Sequence, residues 1–103
     1  MRPERLNEGE IQRRLEQVPG WTVVNGMLHR SFECQDFAAA FGRMTQVALA
    51  AESLNHHPEW SNVWNKVVID LSTHSVQGIS ELDFKLAAKI NEIFGAQELA
   101  ARK

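Results

Sequence analysis

Three of the chain's four histidines, His56, His57 and His74, are the side chains best suited to chemistry. Imidazole titrates near neutral pH, so a few well-placed histidines can both donate and accept protons. Glu52 stands four residues before His56, so the two side chains can share one face at the end of a helix. A carboxylate from Glu52 or Asp83 would orient a neighbouring imidazole and favour its charged form. The pattern is typical of acid–base catalysis on a small bound ligand.

The same residues also have structural interpretations. Histidines at the end of a helix, as expected for His56 and His57, can simply interact with its last carbonyls and its negative dipole end. Asp83 stands three residues after Ser80, where it would cap a helix. Pro58 favours extended backbone at His57, which separates the two neighbouring imidazoles, and the His-x-x-x-His spacing of helical zinc sites is absent. We therefore expect no metal site, and spacing alone leaves catalysis and capping both open.

The other notable side chains have mainly structural interpretations. Trp60 and Trp64 can wall a flat ligand, although tryptophans more often belong to a core or an interface. Cys34 is the only cysteine, which excludes an intramolecular disulfide and a thiolate metal cage, and we expect it to be half-buried and unreactive. His29 falls in an alternating strand pattern and is expected at the surface.

The first half of the chain predicts the elements that precede the histidines. A capping box from Asn7 to Glu10 begins a helix that extends to about residue 17. Asn25-Gly26 is a strong hairpin signal, which joins predicted strands at 21–24 and 28–32.

The longest predicted helix spans residues 37–54 and begins after Asp36, a favourable N-cap. Its apolar residues recur at spacings of three and four, which indicates a core-facing stripe. Because the stripe is rich in alanine and Gly42 lies near it, close packing against another helix is a second interpretation. The stripe consists of Phe37, Ala40, Phe41, Met44, Val47, Ala48, Ala51 and Leu54.

The second half of the chain predicts another hairpin and a last helix. Pro58 ends the long helix, and residues 59–63 and 67–72 form two strands around a turn at Asn65-Lys66. Ser80 and Asp83 repeat the capping-box pattern before a helix over 81–94. Gly95 is expected to end that helix, with residues 96–103 frayed.

The order α-β-β-α-β-β-α predicts an α+β fold, with three helices packed on one face of a four-stranded antiparallel sheet. The length suits a single domain over residues 1–103. The uncovered sheet face then needs solvent-compatible side chains or a partner.

The composition excludes several classes of protein. Hydrophobic residues make up 44% and charged residues 23%, which is too apolar for a disordered chain. The net charge of −2, without a run of Lys or Arg, argues against direct nucleic-acid binding and against an electrostatic membrane anchor. No segment has the length of an apolar membrane span, and the charged N-terminus does not resemble a secretory signal. We expect a cytoplasmic protein.

Three segments together strongly resemble the pterin-4a-carbinolamine dehydratase family: ESLNHHPEWSNVWNKV at 52–67, LSTH at 71–74 and SELD at 80–83. The segment AFGRMTQVAL at 40–49 also resembles the family's long helix, so the likeness covers nearly the whole chain. The resemblance implies removal of water from 4a-hydroxytetrahydropterin to give quinonoid dihydropterin, which recycles the pterin cofactor. It also implies the α+β fold, dimers that join their sheets and tetramers that join through the long helices, with no metal ion and no organic cofactor.

The resemblance also implies roles for single residues. His56 and His74 would transfer the protons, and His57 would hold the pterin and share in the transfer. Glu52 and Asp83 would orient the histidines. The residues expected to contact substrate, besides the three histidines, are Asn55, Trp60, Ser72, Thr73 and Ser75.

Two departures from the family pattern bear on rate rather than on the type of reaction. Asn55 stands where several members carry Asp, and Trp64 stands where Tyr is frequent. Vertebrate relatives also bind a homeodomain transcription factor, so a protein-binding module is the alternative function, with no partner indicated by the sequence. A metal-dependent hydrolase is a third interpretation, which predicts tightly bound zinc or iron.

Overall fold

The elements of the computed structural model follow the expected order. The structure describes residues 3–101, and side chains through residue 95. A short 3-10 turn, His74–Val76, separates the last strand from the last helix. The elements are α1 (Glu8–Leu15), β1 (Thr22–Val24), β2 (Met27–Glu33), α2 (Phe37–Leu54), β3 (Glu59–Val63), β4 (Lys66–Leu71) and α3 (Glu81–Ala101).

The four strands form one antiparallel sheet in the order β1-β2-β4-β3. In β4 the alternating residues Val67, Ile69 and Leu71 are fully buried against the helices, whereas the residues between them face the other side. The core joins this sheet face to α2 and α3 through Val47, Ala51, Leu86 and Ile90, among others. The predicted α+β fold, with the helices on one face, is confirmed.

The first hairpin has the predicted turn, and the second turn lies one residue earlier than predicted. Asn25 and Gly26 both have positive φ, 52° and 77°, as a two-residue primed turn requires. In the second hairpin the turn residues are Trp64 and Asn65, and Lys66 already pairs with Val63. The prediction of an Asn65-Lys66 turn was therefore wrong.

The reason for the shifted turn is a contact distant in sequence. Asn65 is buried, and its side-chain amide donates a hydrogen bond to the Cys34 carbonyl at 2.8 Å. The Cys34 N–H donates in turn to the Asn65 carbonyl, also at 2.8 Å. These bonds fix Asn65 in the turn, and the positive φ of 53° falls on Trp64.

The capping predictions at Asn7, Asp36 and Ser80 are confirmed, whereas two helix ends differ. Asn7 and Glu10 form the complete reciprocal capping box, but α1 ends at Leu15 rather than at residue 17. The helix α3 continues through Gly95 to Ala101, so the predicted end and the frayed tail were wrong for the backbone up to residue 101. Glycine ends a helix when it takes positive φ, and Gly95 does not. The rest of that predicted tail, residues 102–103, lies outside the described residues.

The apolar stripe of α2 divides between two environments. Ala40, Val47 and Ala51 are buried in the core, but Phe37 and Phe41 are more than half exposed, at 52% and 54%. The stripe is therefore wider than the sheet and α3 can cover, and the prediction of one core-facing stripe was only partly right. Among the described residues, no helix combines the length and the apolarity needed to cross a membrane.

Candidate active site

The end of α2 turns His56 into the protein interior. Asn55 ends the helix in the left-handed conformation, with φ of 50° and ψ of 43°, and its N–H bonds to carbonyls of the last turn. This conformation redirects the chain, so that His56, only 8% exposed, faces the start of α3. There its Nε2 lies 2.6 Å from Oδ1 of Asp83, which is completely buried. A buried carboxylate must be compensated by charge or by hydrogen bonds, and His56 is its first partner.

The second oxygen of Asp83 accepts two further hydrogen bonds. The Thr73 hydroxyl and the Ser80 N–H both donate to Oδ2 at 2.9 Å. The Ser80 hydroxyl lies 2.6 Å from Thr73 Oγ1. Asp83 therefore caps α3, as predicted, and at the same time joins the end of α2 to the loop after β4. Capping and orientation of a histidine are not alternatives here.

This network assigns the tautomer of His56. Asp83 accepts from its other partners, so Nε2 of His56 carries the hydrogen that it donates to Oδ1. Nδ1 has no hydrogen-bond partner among the described residues and is not one of their enclosed, unsatisfied polar atoms. It is therefore the ring nitrogen that a ligand can reach.

His57 and Glu52 form a separate pair at the surface. His57 Nε2 lies 2.8 Å from Glu52 Oε1, and both side chains are more than half exposed. Glu52 thus contacts His57, not His56 with which its spacing had suggested a shared face. Among the residues that the structure describes, no group of three or more potential ligands is arranged to hold a metal ion.

His74 lies in the loop after β4 and lines a hollow of about 410 Å³, which is called here the His74 hollow. The loop is closed by a bridge between Thr73 and Gly78, in which the Thr73 N–H donates to the Gly78 carbonyl at 2.7 Å. Neither His56 nor His57 is among the lining residues. The His74 hollow is lined by Asn25, Gly26, Met27, Ser72, Thr73, His74, Gln77 and Gly78.

Thr73 links His74 to His56, two of the three histidines expected to take part in chemistry. It precedes His74 in the chain, and its hydroxyl is bonded to Asp83, which holds His56. Of the three hydroxyl residues expected near a ligand, Ser72 and Thr73 line the His74 hollow, whereas Ser75 is exposed and does not.

Three other residues predicted to contact or flank the ligand lie outside the lining of the His74 hollow: Trp60, Asn55 and Trp64. Trp60 packs against the hydrophobic core from β3, which matches its alternative interpretation. Asn55 is exposed and serves as the left-handed end of α2. Trp64 is 64% exposed at the tip of the second hairpin.

One titratable pair was not foreseen. His29 Nδ1 lies 2.8 Å from Asp70 Oδ1, and the two residues are register partners on β2 and β4. The pair is half-buried on the sheet face opposite the helices, at 30% side-chain exposure each. The alternating strand pattern predicts His29 at the surface, but no local pattern predicts a partner 41 residues away.

The lone thiol is half-buried, as predicted. Burial raises the pKa of Cys34, and the negative charge of Asp36 raises it further, while the guanidinium of Arg43 lowers it. The neutral thiol is therefore favoured, and Cys34 has no feature of an activated nucleophile.

Comparison with known proteins adds a family to this geometry. The family model described as pterin 4 alpha carbinolamine dehydratase matches residues 4–93. A relative from Solibacter usitatus, named "Putative pterin-4-alpha-carbinolamine dehydratase", is 54% identical over 89 residues, which cover 86% of this chain and 94% of the relative. A relative of the same name from Sinorhizobium medicae is 52% identical over 94 residues, covering 89% of this chain and 90% of the relative. A crystal structure described as a transcriptional coactivator/pterin dehydratase, from Brucella melitensis, is similar with a TM-score of 0.85 and 48% identity, covering 87% of this chain and 98% of that one.

Proposed function

Because the chain belongs to the pterin 4 alpha carbinolamine dehydratase family, we propose that it removes water from 4a-hydroxytetrahydropterin to give quinonoid dihydropterin. This reaction returns an oxidised pterin to the pool from which the tetrahydro cofactor is regenerated. The substrate is a flat heterocycle whose reacting atoms are carbon 4a and nitrogen 5.

The observation that carries the proposal is the buried contact of 2.6 Å between His56 and Asp83. A completely buried carboxylate that fixes one imidazole nitrogen and leaves the other accessible is the arrangement expected of a proton-transfer group. A surface histidine that only stabilises a helix end needs no such partner. The Thr73 bond to the same carboxylate supports a role for His74 in the same site.

The chemistry requires two proton transfers. The bond between carbon 4a and its hydroxyl oxygen breaks, an acid protonates the departing oxygen to give water, and a base removes the proton of nitrogen 5 as the double bond between carbon 4a and nitrogen 5 forms. His56 and His74 serve as this pair, and each such transfer contributes roughly 10²–10⁴-fold. His57, oriented by Glu52 at the surface, holds the pterin and shares in the transfer.

A stopped-flow assay of 4a-hydroxypterin dehydration, with and without the protein, tests the proposal. The wild type is expected to accelerate the reaction, and His56→Ala and His74→Ala to lose roughly 10²-fold or more of kcat. His29→Ala is the matched control, because His29 also pairs with a carboxylate but lies on the opposite sheet face. The proposal would be contradicted if the wild type left the reaction at its uncatalysed rate, or if all three variants lost kcat equally.

The exposed apolar side of α2 supports an assembly as part of this function. Phe37, Phe41 and Leu49 are 52–69% exposed on that helix, which is unusual for a surface that contacts only water. A homodimer or homotetramer that covers these residues fits the family resemblance. The coactivator description of the Brucella melitensis protein makes a different protein partner the alternative occupant.

A further inference from the structure

The short turn that carries His74 has little contact with the core of the protein. None of its residues, His74–Val76, is buried, and His74 itself is exposed. The residue after the turn, Gln77, has a positive φ of 53°, which is unfavourable for a residue with a Cβ. Such a backbone conformation persists only where the surrounding structure determines it. The position of His74 therefore depends on contacts at the two ends of its loop.

The two ends of the loop are held by different parts of the chain. At the first end, the Thr73 hydroxyl donates to Asp83 of α3. At the other end, the N–H of Leu6 donates to the Ile79 carbonyl at 2.8 Å, although these residues lie near opposite ends of the chain. Ile79 is buried, and the Leu6 side chain packs against the same core. The loop is thus anchored on both sides of His74, once by α3 and once by the N-terminal segment.

Gly78 makes room for the N-terminal anchor. A Cβ at Gly78 would lie 2.9 Å from Nε of Arg5 and 3.2 Å from its Cδ and Cγ, so the Arg5 side chain crosses the loop at this residue. Gly78 does not have positive φ, and its backbone therefore does not require glycine. It also pairs with Thr73, whose N–H donates to the Gly78 carbonyl at 2.7 Å. A displacement at Gly78 is therefore transmitted to the residue that precedes His74.

We propose that the N-terminal segment Arg5–Leu6, together with Gly78, positions His74 for proton transfer. This inference rests on the proposed function, because it takes His74 as one of the two proton-transfer groups. Catalysis depends steeply on the placement of such groups, and a displacement of about 1 Å can cost roughly 10²-fold in rate. These residues take no part in the chemistry themselves, and they act on kcat through the loop that bears His74.

The first test removes the Leu6 N–H and leaves every side chain in place. An ester replaces the amide between Arg5 and Leu6 in a full-length chain assembled by ligation at Cys34, the only cysteine. Compared with the all-amide chain assembled in the same way, we expect kcat for the dehydration to fall about tenfold and KM to change less than about twofold. The matched control is an ester one residue earlier, because the Arg5 N–H donates no hydrogen bond within the residues that the structure describes. Equal kcat in the two esters overturns the proposal.

The second test uses Gly78→Ala and its rescue. The added methyl group collides with the Arg5 side chain, so the N-terminal segment must shift, and kcat should fall roughly three- to tenfold. Arg5→Ala alone keeps the Leu6 hydrogen bond and should stay within about twofold of the wild type. Adding Arg5→Ala to Gly78→Ala removes the collision and should recover most of the loss. Adding Arg13→Ala instead should recover nothing, because the atoms nearest to Gly78 all belong to Arg5. Equal kcat in the two double variants contradicts the proposal.

A His74→Ala background separates positioning of His74 from general support of the site. In that background Gly78→Ala should have no further effect on kcat, because both changes act through the same imidazole. A further loss of the same size as in the wild-type background would mean that the segment supports another part of the protein, and the proposal would then be wrong.

Nuclear magnetic resonance of the histidine rings separates failure of this proposal from failure of the proposed function. Gly78→Ala should shift the ring signals of His74, whereas His29, on the sheet face opposite the helices, should keep its signals. If the wild type does not accelerate the dehydration, the proposed function fails, and a shift of the His74 signals still supports the positioning of this ring by the segment. Unchanged His74 signals in Gly78→Ala and in the Leu6 ester overturn the positioning role, whatever the activity.

Discussion

Thr73 donates its hydroxyl hydrogen to Asp83 at 2.9 Å, although ten positions separate the two residues in the chain. The bond connects the loop that bears His74 to the carboxylate that holds His56. The two histidines are therefore coupled through a buried carboxylate rather than placed independently. A buried polar network of this kind fixes geometry only when each member is satisfied, so a change in one member should be felt by both histidines.

Thr73→Val tests that coupling, because it keeps the shape of the side chain and removes the hydroxyl. Asp83 retains its bonds from His56 and the Ser80 N–H but loses one donor. We expect kcat to fall about tenfold with little change in KM, because a proton-transfer group is misplaced, and stability to fall by roughly 1–3 kcal/mol. Stopped-flow kinetics and urea unfolding measure the two effects.

Thr73→Ser is the conservative control, since it restores the hydroxyl without the methyl group and should recover most of kcat. Ser75→Ala, in the same loop but exposed and outside the lining of the His74 hollow, should have no effect. Equal kcat in Thr73→Val and the wild type would show that the loop is positioned by other contacts.

Asp83→Asn keeps the volume of the side chain and changes the tautomer of His56. The amide can present its NH₂ to Nε2, which then accepts, so the accessible Nδ1 carries the hydrogen instead. We expect a loss of kcat of roughly 10²-fold or more, together with a destabilisation of roughly 1–3 kcal/mol. The pH dependence of kcat should change as well, which a purely structural role of Asp83 would not cause.

Glu81→Gln serves as the control for Asp83→Asn, because Glu81 is an exposed acidic residue in the same first turn of α3. It should preserve both kcat and its pH profile. If Asp83→Asn loses stability while its kcat and pH profile match those of the wild type, Asp83 only caps the helix.

Asn55 is predicted to matter for backbone conformation. The left-handed conformation is sterically unfavourable for a residue with a Cβ but not for glycine, and its energy cost is smaller for asparagine than for most other residues. Asn55→Ala should therefore cost about 1 kcal/mol of stability and loosen the turn that directs His56 inward, while Asn55→Gly should be close to the wild type. Urea unfolding of the three proteins checks this order, and equal stability of the alanine and glycine variants would contradict it.

Local chemistry was sufficient to predict much of the fold. Asn25-Gly26 determines its hairpin because both residues tolerate positive φ, and Asn7 with Glu10 fixes the start of α1. Gly95 does not end α3 as predicted, because glycine permits a helix end without imposing one. The turn at Trp64-Asn65 depends on a hydrogen bond to Cys34, which no local pattern contains.

The candidate site was predictable in its residue types but not in its partners. His56, His74 and Asp83 were identified from the sequence, but the assignment of Asp83 to His56 and of Glu52 to His57 depends on the left-handed Asn55. Helical spacing does not predict these pairs, because the chain leaves the helix at Asn55, before both histidines. The His29–Asp70 pair required the register of β2 against β4, which emerges only when the whole sheet has formed.

The thiol of Cys34 should react slowly with alkylating agents. Burial raises its pKa in the folded protein, so the midpoint of the iodoacetamide rate against pH should lie above that of the chain in urea. Because the folded state holds the thiol proton more tightly, the raised pKa contributes to the free energy of unfolding. This contribution is fully present below the pKa of the unfolded thiol and is lost as pH rises through the folded pKa. Arg43→Gln should raise the pKa further, because the guanidinium lowers it. Coincident midpoints in buffer and urea would contradict the effect of burial.

Phe41→Asp should reduce the assembly state of the protein. Phe41 is 54% exposed on α2 and contacts Phe37, with ring centroids 5.7 Å apart, so the two rings form an apolar surface that a second copy can cover. Sedimentation equilibrium is expected to give a dimer or tetramer for the wild type and a smaller species for the variant, because a buried, unpaired carboxylate opposes association.

Gln46→Glu is the matched control for Phe41→Asp, since it adds a negative charge to an exposed residue on another side of the same helix. It should keep the wild-type mass, and both variants should keep the wild-type circular dichroism, because neither position is in the core. A wild type that stays monomeric at high micromolar concentration would mean that a different protein covers α2. A Phe41→Asp variant with the wild-type mass would mean that copies of the chain associate through another surface. The edge strands β1 and β3 are the candidates, because their outer edges pair with no other strand of the sheet.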